Sequence, residues 1–154
     1  PRLKAAGRLP HGAPGVCAYD ALHDDVLKLA GRIAPCVAGG PRAPVRLDFR
    51  VAGVRLSGNL GPLYAAGLVR YRPGRLKARD RLEAWIRHLL LNHPETAAPV
   101  RRTILIGKDQ ALSYPPLDDA ERHLTALCGL YEEGLRARID ERLGAEQQPL
   151  RMAG

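Results

Sequence analysis

Two arginines separated by a single residue are the most informative chemical feature of this chain. Arg70 and Arg72 lie in the segment GLVRYRPG (67–74), whose pattern predicts a short strand followed by a turn. Side chains alternate along a strand, so the two guanidinium groups should share one face, about 6–7 Å apart. An acid and a lysine in such positions would serve a divalent metal and a phosphate. Two arginines instead repel a cation and attract a phosphate.

The periodicity of apolar residues predicts the elements around this pair. Asp20 has the character of an N-cap, and apolar residues then recur at helical spacing. Alternation from residue 45, with a turn at Ala52-Gly53, predicts strands that form a meander. The predicted order is a helix over 20–34, strands over 45–51, 54–60 and 67–72, a helix from Lys77 to Asn92, a strand over 101–107, and a helix after Pro116.

Each predicted helix carries an apolar face, and the strand after the second helix should pair in parallel with the third strand. The fold class is therefore α+β, a mixed sheet flanked by helices. The expected apolar faces are Leu22, Val26, Leu29 and Ile33; Leu82, Trp85, Ile86, Leu89 and Leu90; and Leu117, Leu124, Leu127, Tyr131 and Leu135.

Length and composition indicate one globular domain. The chain has 154 residues, of which 45% are hydrophobic and 26% charged, and no apolar run approaches the roughly 18 residues of a membrane span. Its opening, Pro-Arg-Leu-Lys, is not a signal peptide and indicates a piece of a longer protein. We expect an arm or linker over 1–19, the domain over 20–143, and a tail over 144–154.

Net charge and cysteine usage suggest the partner and the compartment. The formal charge of +8 predicts a polyanionic partner such as nucleic acid, although 20 arginines against four lysines can also reflect a GC-rich genome. Three widely spaced cysteines without a CxxC pair predict a reduced, cytoplasmic protein in which each is a small buried residue.

The sequence lacks the motifs of several common nucleotide-binding, hydrolase and metal sites. The chain has neither GxxxxGK[ST] nor GxGxxG for nucleotide binding, and its two serines lie in no GxSxG elbow. The histidines form no HxH or HExxH pattern, so each is expected to be a surface or internally bonded residue. We therefore predict no cofactor and no metal. The five histidines are His11, His23, His88, His93 and His123.

Two long segments of the sequence resemble those of a known protein family. They are LSGNLGPLYAAGLVRYRPGRLKARDRLEAWIRHLLLN (56–92) and PPLDDAERHLTALCGLYEEGLRA (115–137), with LPHGAPG (9–15) as a looser match. The chain from about Leu56 to Ala137 resembles the C-terminal domain of RecC, the gamma subunit of exodeoxyribonuclease V. After Ala137 that family continues with a Pro- and aromatic-rich segment, whereas this chain reads RIDERLGAEQQPLRMAG. The spacing of Ile139 and Leu143 predicts a longer last helix, with a frame-shifted or truncated gene end as the alternative.

The resemblance implies a restriction-endonuclease-like core, αβββαβ, with a degenerate active site. In active relatives, a pattern like GRIDRID followed by DYKTG supplies metal-binding acids and a catalytic lysine. On this chain those positions fall at Gly61, Arg70 and Arg72. A glycine brings no ligand, and an arginine does not deprotonate to act as a base. The domain itself is therefore expected not to be an enzyme, although it resembles a subunit of one.

The resemblance further implies a non-catalytic domain that scaffolds subunits and guides DNA in double-strand-break repair and recombination. RecB-like and RecD-like subunits would be its partners, together with DNA, and no membrane. A simpler hypothesis is that the strand arginines are merely solvated while Val69 and Tyr71 face the core. The chain could also be an active magnesium nuclease drawing on Asp24, Asp25 and Asp48, or a stand-alone basic nucleic-acid-binding module. The candidates for DNA or partner contact are Arg70, Arg72, Arg75, Lys77, Arg79 and Arg81.

Overall fold

A computed structural model describes the backbone of residues 13–146 and the side chains of residues 14 and 16–138. Three helices and six strands alternate along this part of the chain, with one short 3-10 turn at Ala34–Cys36. The elements are α1 (Ala13–Ile33), β1 (Val45–Val51), β2 (Val54–Leu60), β3 (Leu63–Tyr64), β4 (Gly67–Tyr71), α2 (Ala78–Asn92), β5 (Thr103–Ile106), β6 (Ala111–Tyr114) and α3 (Ala120–Glu146).

Strands β1 and β2 form an antiparallel hairpin around the predicted two-residue turn. Ala52 and Gly53 both have positive φ, at 49° and 83°, which is the combination that a type I′ turn requires. The alternation predicted for β1 is confirmed, because Leu47, Phe49 and Val51 are buried while the residues between them are exposed. The buried side chains join a core with β4, α2 and α3.

Four short strands form a second sheet in the order β3-β4-β5-β6. Strand β4 pairs in parallel with β5, and the other two pairs are antiparallel, so the sheet is mixed. The parallel pair is connected through α2, as expected. Gly67 starts β4 with a φ of 137°, and a side chain there would collide with the backbone of Arg102. This glycine permits the close approach of β4 to the start of β5.

Helices cover both faces of the second sheet. Val69 and Ile106 pack with Leu29 of α1 on one face. On the other face, Leu68 packs with Leu89 of α2, and Leu105 packs with Ala84 of the same helix. The fold class is therefore α+β, with mixed sheet structure flanked by helices, as the sequence predicted.

The strand pairing differs from the predicted meander. Strand β4 does not pair with β2; instead β1 and β2 form a separate two-stranded sheet, and β3 takes the place beside β4. Strands β3 and β6 were not predicted at all. Both are short, with two and four residues, so neither has enough alternation to give a periodic signal. The order in the structure is thus αββββαββα.

The ends of the first and last helices extend beyond the prediction. Helix α1 begins at Ala13, so Asp20 lies inside the helix and is not its N-cap. The predicted arm over 1–19 thus includes seven helical residues, and its first 12 residues lie outside the described part. Helix α3 continues to Glu146, so the predicted lengthening is confirmed and the first three residues of the predicted tail over 144–154 are helical. Residues 147–154 lie outside the described part.

The predicted apolar faces are correct only in part. Leu89 is buried and Trp85 and Leu90 are half-buried, but Leu82 and Ile86 are exposed. The buried side of α2 instead carries Ala84, His88, Leu91 and Asn92. Exposed apolar residues also remain on the other two helices: Leu22 and Val26 on α1, and Tyr131 and Leu135 on α3. None of the described helices is long and apolar enough to cross a membrane.

Candidate functional site

Arg70 and Arg72 lie at the carboxyl end of β4 and both reach toward α2. The Arg70 guanidinium donates to Glu83 Oε1 at 2.9 Å. Arg72 Nη1 lies 2.9 Å from each carboxylate oxygen of Asp80. The predicted common orientation is therefore correct, and both side chains meet acids on the next helix instead of standing free.

Local backbone structure holds the acidic partners in place. Asp80 is the third residue of α2, and its carboxylate accepts the Lys77 backbone N–H at 2.8 Å across the helix start. That hydrogen bond, followed by the Arg72 guanidinium, lowers the pKa of Asp80 below its usual range. Glu83 also accepts Arg87 Nε at 3.1 Å, one turn along the helix. The carboxylates of Asp80 and Glu83 therefore each already form an ion pair with an arginine of the same chain.

These ion pairs determine whether the region around Arg70 and Arg72 could bind a metal ion. A small cleft at this point is lined by Arg70, Arg72, Asp80 and Glu83, with Leu105 at its floor. A divalent metal would have to compete with guanidinium groups for both carboxylates, and neither guanidinium can donate an electron pair to an ion. The arrangement suits an ion-paired joint between β4 and α2 better than a metal site.

The other four candidate cations lie at the beginning of α2. Arg75, Lys77, Arg79 and Arg81 are exposed, and within the described residues no carboxylate lies within ion-pairing distance of any of them. The helix N-terminus adds partial positive charge there. We call these four residues the α2 cation cluster. Among the described residues, the candidate set thus divides into two ion-paired arginines and four cations without an ion pair, of which Arg75 and Arg79 contribute to the lowered pKa values of Asp109 and Asp80.

Gly61 lies in the link between β2 and β3. Its nearest neighbour is Pro44, whose Cβ would be 3.4 Å from a side chain built there. Because β3 pairs with β4, this link lies beside the strand that carries Arg70. Gly61 brings no ligand atom to that region.

The acids of the magnesium-nuclease hypothesis are placed on different elements. Asp24 and Asp25 lie on α1, where Asp25 forms an ion pair with Lys108. Asp48 lies on β1, and its two carboxylate oxygens accept hydrogen bonds from Arg55. These hydrogen bonds lower the pKa of Asp48. Across residues whose side chains are described, no three His, Cys, Asp or Glu groups come together in a way that could hold a metal ion.

The expectation that Val69 and Tyr71 both face the core is half correct. Val69 is buried against α1, whereas Tyr71 is exposed. The cysteines also diverge from expectation, because Cys128 is buried, Cys36 is half-buried and Cys17 is exposed.

The outer face of the β1–β2 hairpin forms a second polar surface that sequence reasoning did not identify. It borders a groove of about 470 Å³. In the sequence, only the polar residues of the β1 alternation pointed to this surface. The polar residues of β2 could not be placed beside them before the pairing of the two strands was known. The groove is lined by Arg46, Leu47, Asp48, Arg55, Ser57, Gly58 and Asn59.

Comparisons with known proteins agree with the resemblance. The family model of the RecC C-terminal domain matches residues 1–139. The RecBCD enzyme subunit RecC of Escherichia coli (strain K12) is 29% identical over 140 residues, which cover 90% of this chain. The chain spans only 12% of the length of that relative.

Proposed function

The chain belongs to the RecC C-terminal domain family, and from this premise we propose that it is a non-catalytic domain of a RecBCD-type helicase-nuclease. Its role would be to scaffold subunits and guide DNA during double-strand-break repair and recombination. RecB-like and RecD-like subunits would be its protein partners, in the cytoplasm. The proposed fold is a restriction-endonuclease-like core to which β3 and β6 are added.

The observation that carries this proposal is the ion pairing of Arg70 and Arg72. Active nucleases of the related fold would need free carboxylates near these positions. Here Asp80 and Glu83 each contact a guanidinium at 2.9 Å. A metal-bound water requires anionic ligands around the ion, and the partners of these acids are permanent cations. The geometry therefore favours a structural role for the former catalytic position.

The proposed DNA contact is the α2 cation cluster. Its side chains are exposed, unpaired among the described residues, and close together in sequence at a helix N-terminus. Phosphate oxygens bind both to lysine and arginine and to helix N-termini. Arg70 and Arg72 are weaker candidates, because a phosphate would first have to displace their carboxylate partners.

A charge-reversal experiment tests the DNA contact. The variant carries glutamate at Arg75, Lys77, Arg79 and Arg81. We expect its affinity for a 20-base-pair duplex to fall at least 100-fold at low salt. The slope of log affinity against log salt should become shallower by about 3–4, since each phosphate contact contributes roughly 0.9. Fluorescence anisotropy at several salt concentrations measures both quantities.

The matched control reverses four exposed cations elsewhere, namely Lys28, Arg42, Arg122 and Arg136. Both variants change the net charge equally, so a local contact predicts a much larger loss for the cluster variant. Equal losses in the two variants would mean that overall charge alone attracts DNA. Unchanged affinity and unchanged assembly with RecB-like and RecD-like subunits would contradict the proposal.

Two measurements separate this role from catalysis and from independent DNA binding. Incubation with DNA and Mn²⁺ should leave the DNA intact, whereas an active nuclease would degrade it. Co-purification from cells should recover large helicase partners, whereas a stand-alone nucleic-acid-binding module would be recovered without them.

A further inference from the structure

Helices α2 and α3 leave large apolar side chains uncovered on adjoining surfaces. Ile86 of α2 is 37% exposed and Tyr131 of α3 is 62% exposed. Leu82, one turn before Ile86, is 53% exposed. Isolated exposed apolar residues are common on proteins, but Ile86 and Tyr131 line one and the same groove.

An apolar groove of about 390 Å³ lies between β2, α2 and α3. None of the described residues that line it carries a charged side chain. The Cys128 thiol and the Tyr131 hydroxyl are the polar side-chain groups of the lining residues, and burial raises the pKa of the Cys128 thiol, which keeps it uncharged at neutral pH. We call this feature the α2–α3 groove. Its lining residues are Val54, Leu56, Ile86, Leu90, Leu124, Leu127, Cys128 and Tyr131.

The residue types that line the groove indicate which class of ligand it could bind. A nucleic acid requires cationic groups for its phosphates, and the groove provides none. A small polar ligand requires several convergent hydrogen-bonding groups, which are also missing from this lining. An amphipathic helix needs only a hydrophobic trough for apolar residues spaced at i, i+3 or i+4, and i+7. The groove fits this last class.

The length of the relative bears on the source of such a helix. This chain spans 12% of the RecC subunit that it matches, so in that relative the equivalent segment is joined to a much longer polypeptide. Covalent tethering gives a neighbouring segment an effective concentration in the millimolar range, which exceeds that of most diffusible partners. We propose that the α2–α3 groove holds an amphipathic helix from another region of the same, longer polypeptide. This proposal rests on family membership and is independent of DNA contact.

Site-specific photocrosslinking in the native polypeptide tests the proposal. Ile86→p-benzoylphenylalanine is introduced in the chromosomal gene, cells are irradiated, and crosslinked peptides are identified by mass spectrometry. We expect a crosslink to a segment of the same polypeptide outside these 154 residues, with apolar residues at helical spacing; a crosslink to α3 alone, which already lines the groove, would contradict the proposal. The mass of the protein on a denaturing gel should not increase.

Leu130 provides the matched control. It lies beside Tyr131 and is 64% exposed, but it does not line the groove. The same photoreactive residue at position 130 should give at most one tenth of the intrachain product. An adduct to another subunit or to a second copy would overturn the proposal, as would equal yields at positions 86 and 130. A native polypeptide without any further segment would also overturn it.

Hydrogen exchange gives a second readout that does not depend on crosslinking chemistry. In the native polypeptide, Ile86→Asp should accelerate amide exchange in the part of α3 around Leu127 by about tenfold or more. Leu130→Asp should leave that exchange unchanged. Equal exchange in both variants and the unmodified polypeptide would contradict an occupied groove.

Discussion

Asn92 fixes the carboxyl end of α2 through hydrogen bonds to three parts of the chain. Its amide nitrogen donates to the His88 carbonyl at 2.8 Å and to the Arg101 carbonyl at 3.0 Å. Its carbonyl oxygen accepts the Leu117 N–H at 3.0 Å. Asn92 is 1% exposed; its hydrogen bond to the His88 carbonyl is buried, and those to Arg101 and Leu117 are partly buried. One side chain thus joins α2 to the segments before β5 and α3.

Asn92→Leu should strongly destabilise the domain. The substitution preserves approximate volume but removes the Asn92 partner of the Arg101 carbonyl and of the Leu117 N–H, at about 1–3 kcal/mol for each group. We expect a loss of roughly 3 kcal/mol or more in the free energy of unfolding, measured by urea denaturation. Asn59→Leu is the control, because Asn59 is exposed on β2. Similar losses in both variants would argue against the network.

His88 should make stability depend on pH. It is 1% exposed, and its Nδ1 lies 3.1 Å from Thr103 Oγ1. Burial is the main cause that lowers its pKa below 6.5, and the positive charge of Arg101 adds to this effect. The neutral imidazole is therefore favoured in the folded state. Its contribution is complete above about pH 6.5 and is lost as the pH falls below that value, because the unfolded chain binds the proton first.

We expect the free energy of unfolding to decrease between pH 7.5 and pH 5.5. His88→Gln should be less stable at pH 7.5 but show a flatter pH dependence over this interval, since glutamine does not titrate. Urea denaturation at several pH values measures both effects. An identical pH slope in the variant would assign the dependence to the other histidines.

At the scale of elements, the β1–β2 hairpin depends on a turn that contains one strained residue. Ala52 has a φ of 49°, a left-handed conformation that costs an alanine about 1 kcal/mol. Gly53 follows at 83° without that cost. The hairpin tolerates the strain because its buried residues, Leu47, Phe49 and Val51, join the core formed with α2 and α3.

Ala52→Asn should therefore stabilise the protein. Asparagine adopts the left-handed region more readily and is favoured at the first central position of this turn type. We expect a gain of about 0.5–1 kcal/mol, or roughly 1–4 °C in the melting temperature. Gly53→Ala should have the opposite effect, although a methyl group there would contact nothing within 4 Å. A fall in melting temperature for Ala52→Asn would refute the strain argument.

The whole molecule combines a net charge of +8 with apolar surfaces that the described residues leave uncovered. A net positive charge favours contact with polyanions. Apolar surfaces like those on α1 and in the α2–α3 groove commonly mark sites of contact with another protein surface. Its core is nevertheless continuous through the hairpin, the second sheet, α2 and α3.

The isolated 154-residue chain should bind the apolar dye ANS in its folded state. Ile86→Lys combined with Tyr131→Lys should reduce the dye fluorescence at least twofold without lowering the melting temperature, since both residues are exposed. Leu130→Lys should change the fluorescence little. Equal reductions in both variants would show that the dye does not report on the groove.

The sequence by itself determined the features that depend on local periodicity and residue type. The alternation from Val45 to Val51 predicted the half-buried strand, and Ala52-Gly53 predicted its turn. The spacing of strand, helix and strand predicted the parallel pairing of β4 and β5. The arginines at positions 70 and 72 were identified as chemically unusual, because charge type and period-two spacing are read directly from the chain.

Only the tertiary structure decided which surfaces meet. Helical spacing placed Leu82 and Ile86 with Trp85 on one face, but packing turned α2 so that Ala84 and His88 became buried instead. The partners of Arg70 and Arg72 were likewise undetermined, since Glu83 and Asp80 approach them only after α2 has docked on the sheet. Periodicity gives the relative angles of side chains around an element. The rotation of that element against its neighbours is set by the shape and volume of the whole core.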